Sequence, residues 1–85
     1  MKNTNAYNGW KNRQTWNVAL WINNDYNLYK SAVEFMKEHS NSRTPYMDFI
    51  KENYLEGEFT PDRIKWDGQQ LDYKALNEMM QEFIR

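Results

Sequence analysis

The 85 residues contain no cysteine. Disulfide staples and thiolate metal sites are therefore excluded, and the usage fits a reducing cytosol, so a cytoplasmic location is expected. Histidine occurs once, as His39. A transition-metal site would have to gather carboxylates around it, and no His-x-x-x-His spacing exists. The three glycines, Gly9, Gly57 and Gly68, make no Gly-rich phosphate loop. The three serines, Ser31, Ser40 and Ser42, sit in no nucleophile-elbow pattern. No run approaches the ~18 apolar residues of a membrane span. The opening "MKNTNAYNG" has no apolar signal core, so no export signal is read. These absences point away from an enzyme, a cofactor, a metal centre and a membrane partner.

Aromatic residues are what the chain has in excess: four Trp, six Tyr and four Phe. A chain of this length makes one domain, residues 1–85, and buries only about 60–65% of its unfolded surface. Each buried aromatic covers on the order of 150–250 Å², so these rings can supply much of the core. Net charge is −1, neither a polyanion nor a strongly basic nucleic-acid binder. The sign is uneven along the chain. Residues 1–24 carry Lys2, Lys11 and Arg13 and no acid, whereas residues 25–85 carry eight bases and twelve acids.

The expected fold is all-α, a compact bundle of about four helices with an irregular loop before the last one. Asn12 is placed to cap a first helix over about Arg13 to Asn23. "NNDYN" is a turn in which Asn24 or Asp25 caps a second helix, about Tyr26 to Glu38. On its wheel Tyr26, Leu28, Tyr29, Ala32, Val33, Phe35 and Met36 fill one half, with Lys30, Ser31, Glu34, Lys37 and Glu38 opposite. His39 closes this helix, where it interacts favourably with the dipole. Thr44 followed by Pro45 starts a third helix, about Pro45 to Leu55, with Tyr46, Phe49, Ile50 and Tyr54 inward and Gly57 as its stop. Phe59, Ile64 and Trp66 are expected to plug the core from the loop "EFTPDRIKWDGQQ", in which "RIKW" is an alternative short β-excursion. Asp72 caps a last helix, about Tyr73 to Ile84, with Leu71 and Leu76 as a hydrophobic staple.

The first helix poses a problem. Trp16 and Trp21 are five residues apart, which at about 100° per residue puts them roughly 140° apart. Thr15, Trp16, Val18, Ala19, Leu20 and Ile22 share one arc, making Trp16 the core residue. Trp21 falls among Arg13, Gln14, Asn17 and Asn24. Two readings stand. Another segment covers Trp21, the lead-in with Tyr7 and Trp10 being a candidate; or Trp21 anchors a partner-binding face of Arg13, Gln14, Asn17, Trp21 and Asn24, since Trp and Arg are enriched at binding hot spots. The second reading makes the chain a non-catalytic module that binds a host protein. A rival is nucleic-acid binding through Lys11, Arg13, Trp10 and Trp21, because aromatics and bases together can hold a strand. Three positive charges give that rival a small electrostatic footprint. A third reading is self-association, in which a homo-oligomer completes the core of a small chain rich in aromatics.

The stretch Gly9, Trp10, Asn12, Thr15, Trp16, Val18, Leu20, Trp21 and Asn24 (or its neighbour Asn23) resembles a G-W-x-N-x-x-T-W-x-V-x-L-W-x-x-N motif. The motif belongs to a family of small uncharacterised proteins carried by bacteriophages and mobile elements. The later "TPDRIKW…LDYKALNEM" is similar to the C-terminal part of some members, where a glycine often follows the Asp; here that residue is Arg63. The resemblance implies a viral or mobile-element origin and no particular activity.

Overall fold

The computed structural model describes residues 7–85. The first six residues, which include Lys2 and most of the polar lead-in, lie outside the described residues. Four helices follow: α1 Arg13–Asn24, α2 Tyr26–Glu38, α3 Pro45–Glu52 and α4 Tyr73–Glu82. The architecture is the all-α bundle expected from the helical periodicities. Twenty residues, 53–72, separate α3 from α4. This long connection holds one isolated antiparallel bridge, Phe59 to Lys65, which is all that the "RIKW" region makes of a β-excursion.

Local chemistry starts three of the helices as the sequence indicates. Asn12 accepts the Thr15 N–H at 2.9 Å. Asp25 accepts the Leu28 N–H at 3.0 Å. Asp72 accepts the Ala75 N–H at 3.1 Å. Each satisfies a first-turn donor that the helix itself leaves without a partner. α3 differs. Pro45 takes the first helical position, but Thr44 makes no capping bond, and its hydroxyl turns to Asp48. The Tyr46 N–H is met instead by Asn77 Oδ1 of α4, 3.0 Å away. A side chain from the neighbouring helix thus does the capping.

α1 and α2, linked by the single residue Asp25, pack chiefly on each other, and α3 packs chiefly on α4; α4 also meets α1 and α2. Val18, Ala19 and Ile22 of α1, Ala32, Phe35 and Met36 of α2, Tyr46, Phe49 and Ile50 of α3, and Leu76 and Met80 of α4 form one buried cluster. Trp66 and Leu71 of the connection join it, and Ile64 packs against it, so these residues plug the core. His39 ends α2: its ring stacks on Phe35 at 4.2 Å, and its Nδ1 lies 3.0 Å from the Phe35 carbonyl oxygen.

Several expected core aromatics face water. Tyr26 is 73% exposed and Tyr29 is also exposed, because the buried stripe of α2 is narrower than half its wheel. Tyr29 meets Phe83 with the rings nearly perpendicular and their centroids 5.5 Å apart. Phe59 does not plug the core but is 59% exposed. Tyr54 is likewise outside, because α3 ends at Glu52 rather than Leu55. α4 ends at Glu82, two residues before Ile84.

Candidate functional site

The five residues of the expected partner-binding face do not form one free surface. Arg13 and Asn24 are exposed and Gln14 is half-buried. Asn17, at 1% exposure, is sealed in. Trp21 packs against the core cluster, half-buried. Trp16 is the converse: half-buried but outside that cluster, with Tyr7 at a ring-centroid distance of 6.1 Å. Among the described residues, then, Trp21 rather than Trp16 touches the core cluster, and the segment that bonds its indole belongs to the long connection.

That segment is the turn at Thr60 to Arg63. The Trp21 indole N–H donates to Asp62 Oδ2 at 2.9 Å, and the Asn17 amide donates to the same oxygen at 2.8 Å. Buried Thr60 donates its hydroxyl to Asn17 Oδ1 at 2.8 Å and accepts the N–H groups of Asp62 and Ile64, each at 3.2 Å. The donated bonds from Asn17 first, and Trp21 next, hold the Asp62 carboxyl below the usual aspartate range, with the Arg13 charge adding to the effect. Asp62 is the acceptor that fastens the loop. Arg63 takes φ +69, the left-handed region, and its N–H still closes the turn onto the Thr60 carbonyl at 2.8 Å.

Earlier α1 residues fasten the other end of the connection. The Asn12 amide donates to the Gln70 carbonyl at 2.7 Å. Thr15 Oγ accepts the Asp72 N–H at 3.0 Å while its own proton goes to Asn12 Oδ1 at 2.6 Å. Asn12, Thr15 and Trp21 of the N-terminal motif, with Asn17 between them, form a clasp for the long loop. Of the rival nucleic-acid grouping, Lys11 and Arg13 are exposed, Trp10 and Trp21 are half-buried against the core, and the Asp62 carboxylate is near enough to Arg13 to feel its charge. Among the described residues no three His, Cys, Asp or Glu side chains gather into a metal-holding group, and no helix is long and apolar enough to cross a membrane.

A different feature stands free of the fold. At the end of α3 the Leu55 N–H reaches the Ile50 carbonyl (2.9 Å) and the Tyr54 N–H reaches the Lys51 carbonyl (3.1 Å). This is the Schellman pattern, with Tyr54 in the left-handed slot where glycine is the usual occupant. Its φ is +58. Leu55 turns in to pack on the core, as does the residue after the slot in such motifs, while Tyr54 stands 88% exposed. The chain then closes a tight turn, with the Glu58 N–H on the Leu55 carbonyl at 2.9 Å, so Tyr54 and Phe59 flank one four-residue turn. The Gly57 N–H is tied to Asp67 Oδ1 at 3.2 Å, and the Trp66 N–H to the Glu58 carbonyl at 2.9 Å. The turn is thus fixed from within and presents two aromatic rings. Glu52, Glu56 and Glu58 are their neighbours in the sequence, while Lys65 stands across the bridge from Phe59. Sequence reading missed this site because it carried α3 on to Leu55. The available signal was an asparagine, Asn53, just before Tyr54, together with a glycine standing too far downstream to be the stop.

A small all-α domain with a long ordered connection clasped to its first helix is the class of molecule these contacts define. The model of a family of unknown function, DUF7249, matches residues 3–85, and the chain belongs to that family. Comparison with curated proteins and with solved structures gave no match.

Proposed function

We propose that the chain is a non-catalytic protein-binding module that uses the aromatic turn of Tyr54 to Phe59 as its contact surface. The carrying observation is Tyr54: a large aromatic residue in a left-handed position, 88% exposed. A left-handed L-residue costs roughly 1–2 kcal/mol, and little burial offsets that cost here. The two backbone bonds that end α3 account for the conformation but not for a tyrosine in place of glycine, and an external contact for the exposed ring accounts for that choice. Tyrosine suits that role, since it offers a wide apolar face and a polar tip at small entropic cost. His39 and Asp62 are taken up by their own neighbours, which supports binding rather than catalysis. The resemblance of the N-terminal motif to phage and mobile-element proteins makes a host protein the natural partner, modulated by the bound module.

The test uses immobilised wild type, Tyr54→Gly and Phe59→Ser in bacterial host lysate, with bound proteins quantified by mass spectrometry. The reading expects a protein enriched on the wild type and lost from both variants. Since glycine suits position 54, loss on Tyr54→Gly cannot be blamed on misfolding. Equal recovery of every protein on all three baits refutes the reading.

A further inference from the structure

We infer that the groove between Trp10 and α4 binds a small organic cation carrying an alkylammonium group. The groove lies away from the aromatic turn and goes beyond the function proposed for it. Its volume is about 470 Å³, within the range of about 300–1,000 Å³ usual for small-molecule sites.

α4 supplies two parallel rows along it. Ala75, Met79 and Phe83, spaced by four, form an apolar row; Glu78 and Glu82, also spaced by four, run beside it. Trp10 lines the same groove, and its position is set by a turn. The Trp10 N–H closes onto the Tyr7 carbonyl at 3.0 Å, and Asn8 and Gly9 between them have φ of +53 and +90. Two successive positive φ values of this size, on Asn-Gly, match a type I′ turn. The opposite wall is equally fixed. Phe83 is braced by Tyr29, their rings nearly perpendicular, and the Asn23 amide donates to the Ala19 carbonyl at 2.8 Å and to Met79 Sδ at 3.4 Å.

The chemistry of the lining selects the ligand. Among the described residues, every charged side chain that lines the groove is a carboxylate. Glu82 is engaged by Arg85, and Glu78 makes no ion pair among the described residues. An anion is therefore repelled. A cation with apolar substituents gains the carboxylate field, apolar contact with Met79 and Phe83, and the neighbourhood of the Trp10 indole, indole being the best of the aromatic partners for a cation. The volume accommodates a whole small molecule, and the ligand assigned is a free small compound.

The test is titration of the ¹⁵N-labelled protein with choline and with its uncharged isostere, in which carbon replaces the quaternary nitrogen. The readout is the Trp10 indole N–H resonance, assigned by Trp10→Phe. Choline is expected to shift it saturably, and the isostere to bind roughly three- to thirtyfold more weakly. Glu78→Gln, an exposed substitution that leaves the backbone spectrum intact, is expected to weaken choline severalfold. Equal binding of the two compounds, or no shift with choline, overturns the proposal. A shift with a blocked lysine peptide but not with choline also overturns it and reassigns the groove to a protein partner.

Discussion

Replacing Tyr54 with glycine and, separately, with alanine isolates the backbone cost at the end of α3. Both variants remove the phenol ring, which is 88% exposed and so contributes little burial to either comparison. They differ in whether a Cβ remains at φ +58. The left-handed conformation costs an L-residue roughly 1–2 kcal/mol, and the greater freedom of glycine in the unfolded chain returns about 0.4–1 kcal/mol of that. The glycine variant should therefore be more stable than the alanine variant by about 0.5–1 kcal/mol. For a domain of this size that is roughly 2–8 °C in Tm. Urea unfolding followed by tryptophan emission measures the difference, and equal slopes for the two variants verify that the same surface is exposed. An alanine variant as stable as the glycine variant, or more so, refutes the argument that position 54 is strained. The reason for assigning Tyr54 an external role would go with it.

The clasp on α1 makes two further predictions. Thr60→Val removes the donor to Asn17 Oδ1 and the acceptor for two backbone N–H groups in a buried setting. A loss of about 1–3 kcal/mol in denaturant unfolding is expected, and a loss under about 0.5 kcal/mol would show that the threonine hydroxyl is dispensable. Asp62 carries a lowered pKa, so the stability it contributes is present above the ordinary aspartate value and disappears as pH falls through its folded value. The Trp21 indole N–H resonance should titrate with that carboxyl, with a midpoint below the usual aspartate range; a midpoint at or above that range contradicts the assigned bonds.

Parts of this molecule that depend on near neighbours could be read from the chain. Asn12, Asp25 and Asp72 each precede a periodic apolar run, and a cap acts over three residues, so all three helix starts are legible. The fourth start was half legible: Pro45 marks it, but its capping side chain is Asn77, 31 residues away. Trp16 and Trp21 show the limit more sharply. A wheel shows that two indoles diverge but not which one a distant turn will meet. That was decided by Thr60 and Asp62, more than 40 residues downstream. The expected five-residue face lost Asn17 and Trp21 for the same reason. Tyr26 and Tyr29 were misplaced by a rule that fills half a wheel, when only the stripe through Ala32, Phe35 and Met36 is buried. The aromatic turn was hidden because a tyrosine occupies a slot where sequence reading looks for glycine.

The clasp also sets an order of events during synthesis. Asn17 and Trp21 find their acceptor 45 and 41 residues later, and Asn12 and Thr15 find partners 58 and 57 residues later. As the chain leaves the ribosome, the first helix can be wound and capped early, yet the loop partners of Asn12, Thr15, Asn17 and Trp21 are missing until most of the polypeptide has emerged. Nascent chains stopped short of Asp72 should accordingly remain open to protease, and resistance should arrive in one late step rather than helix by helix.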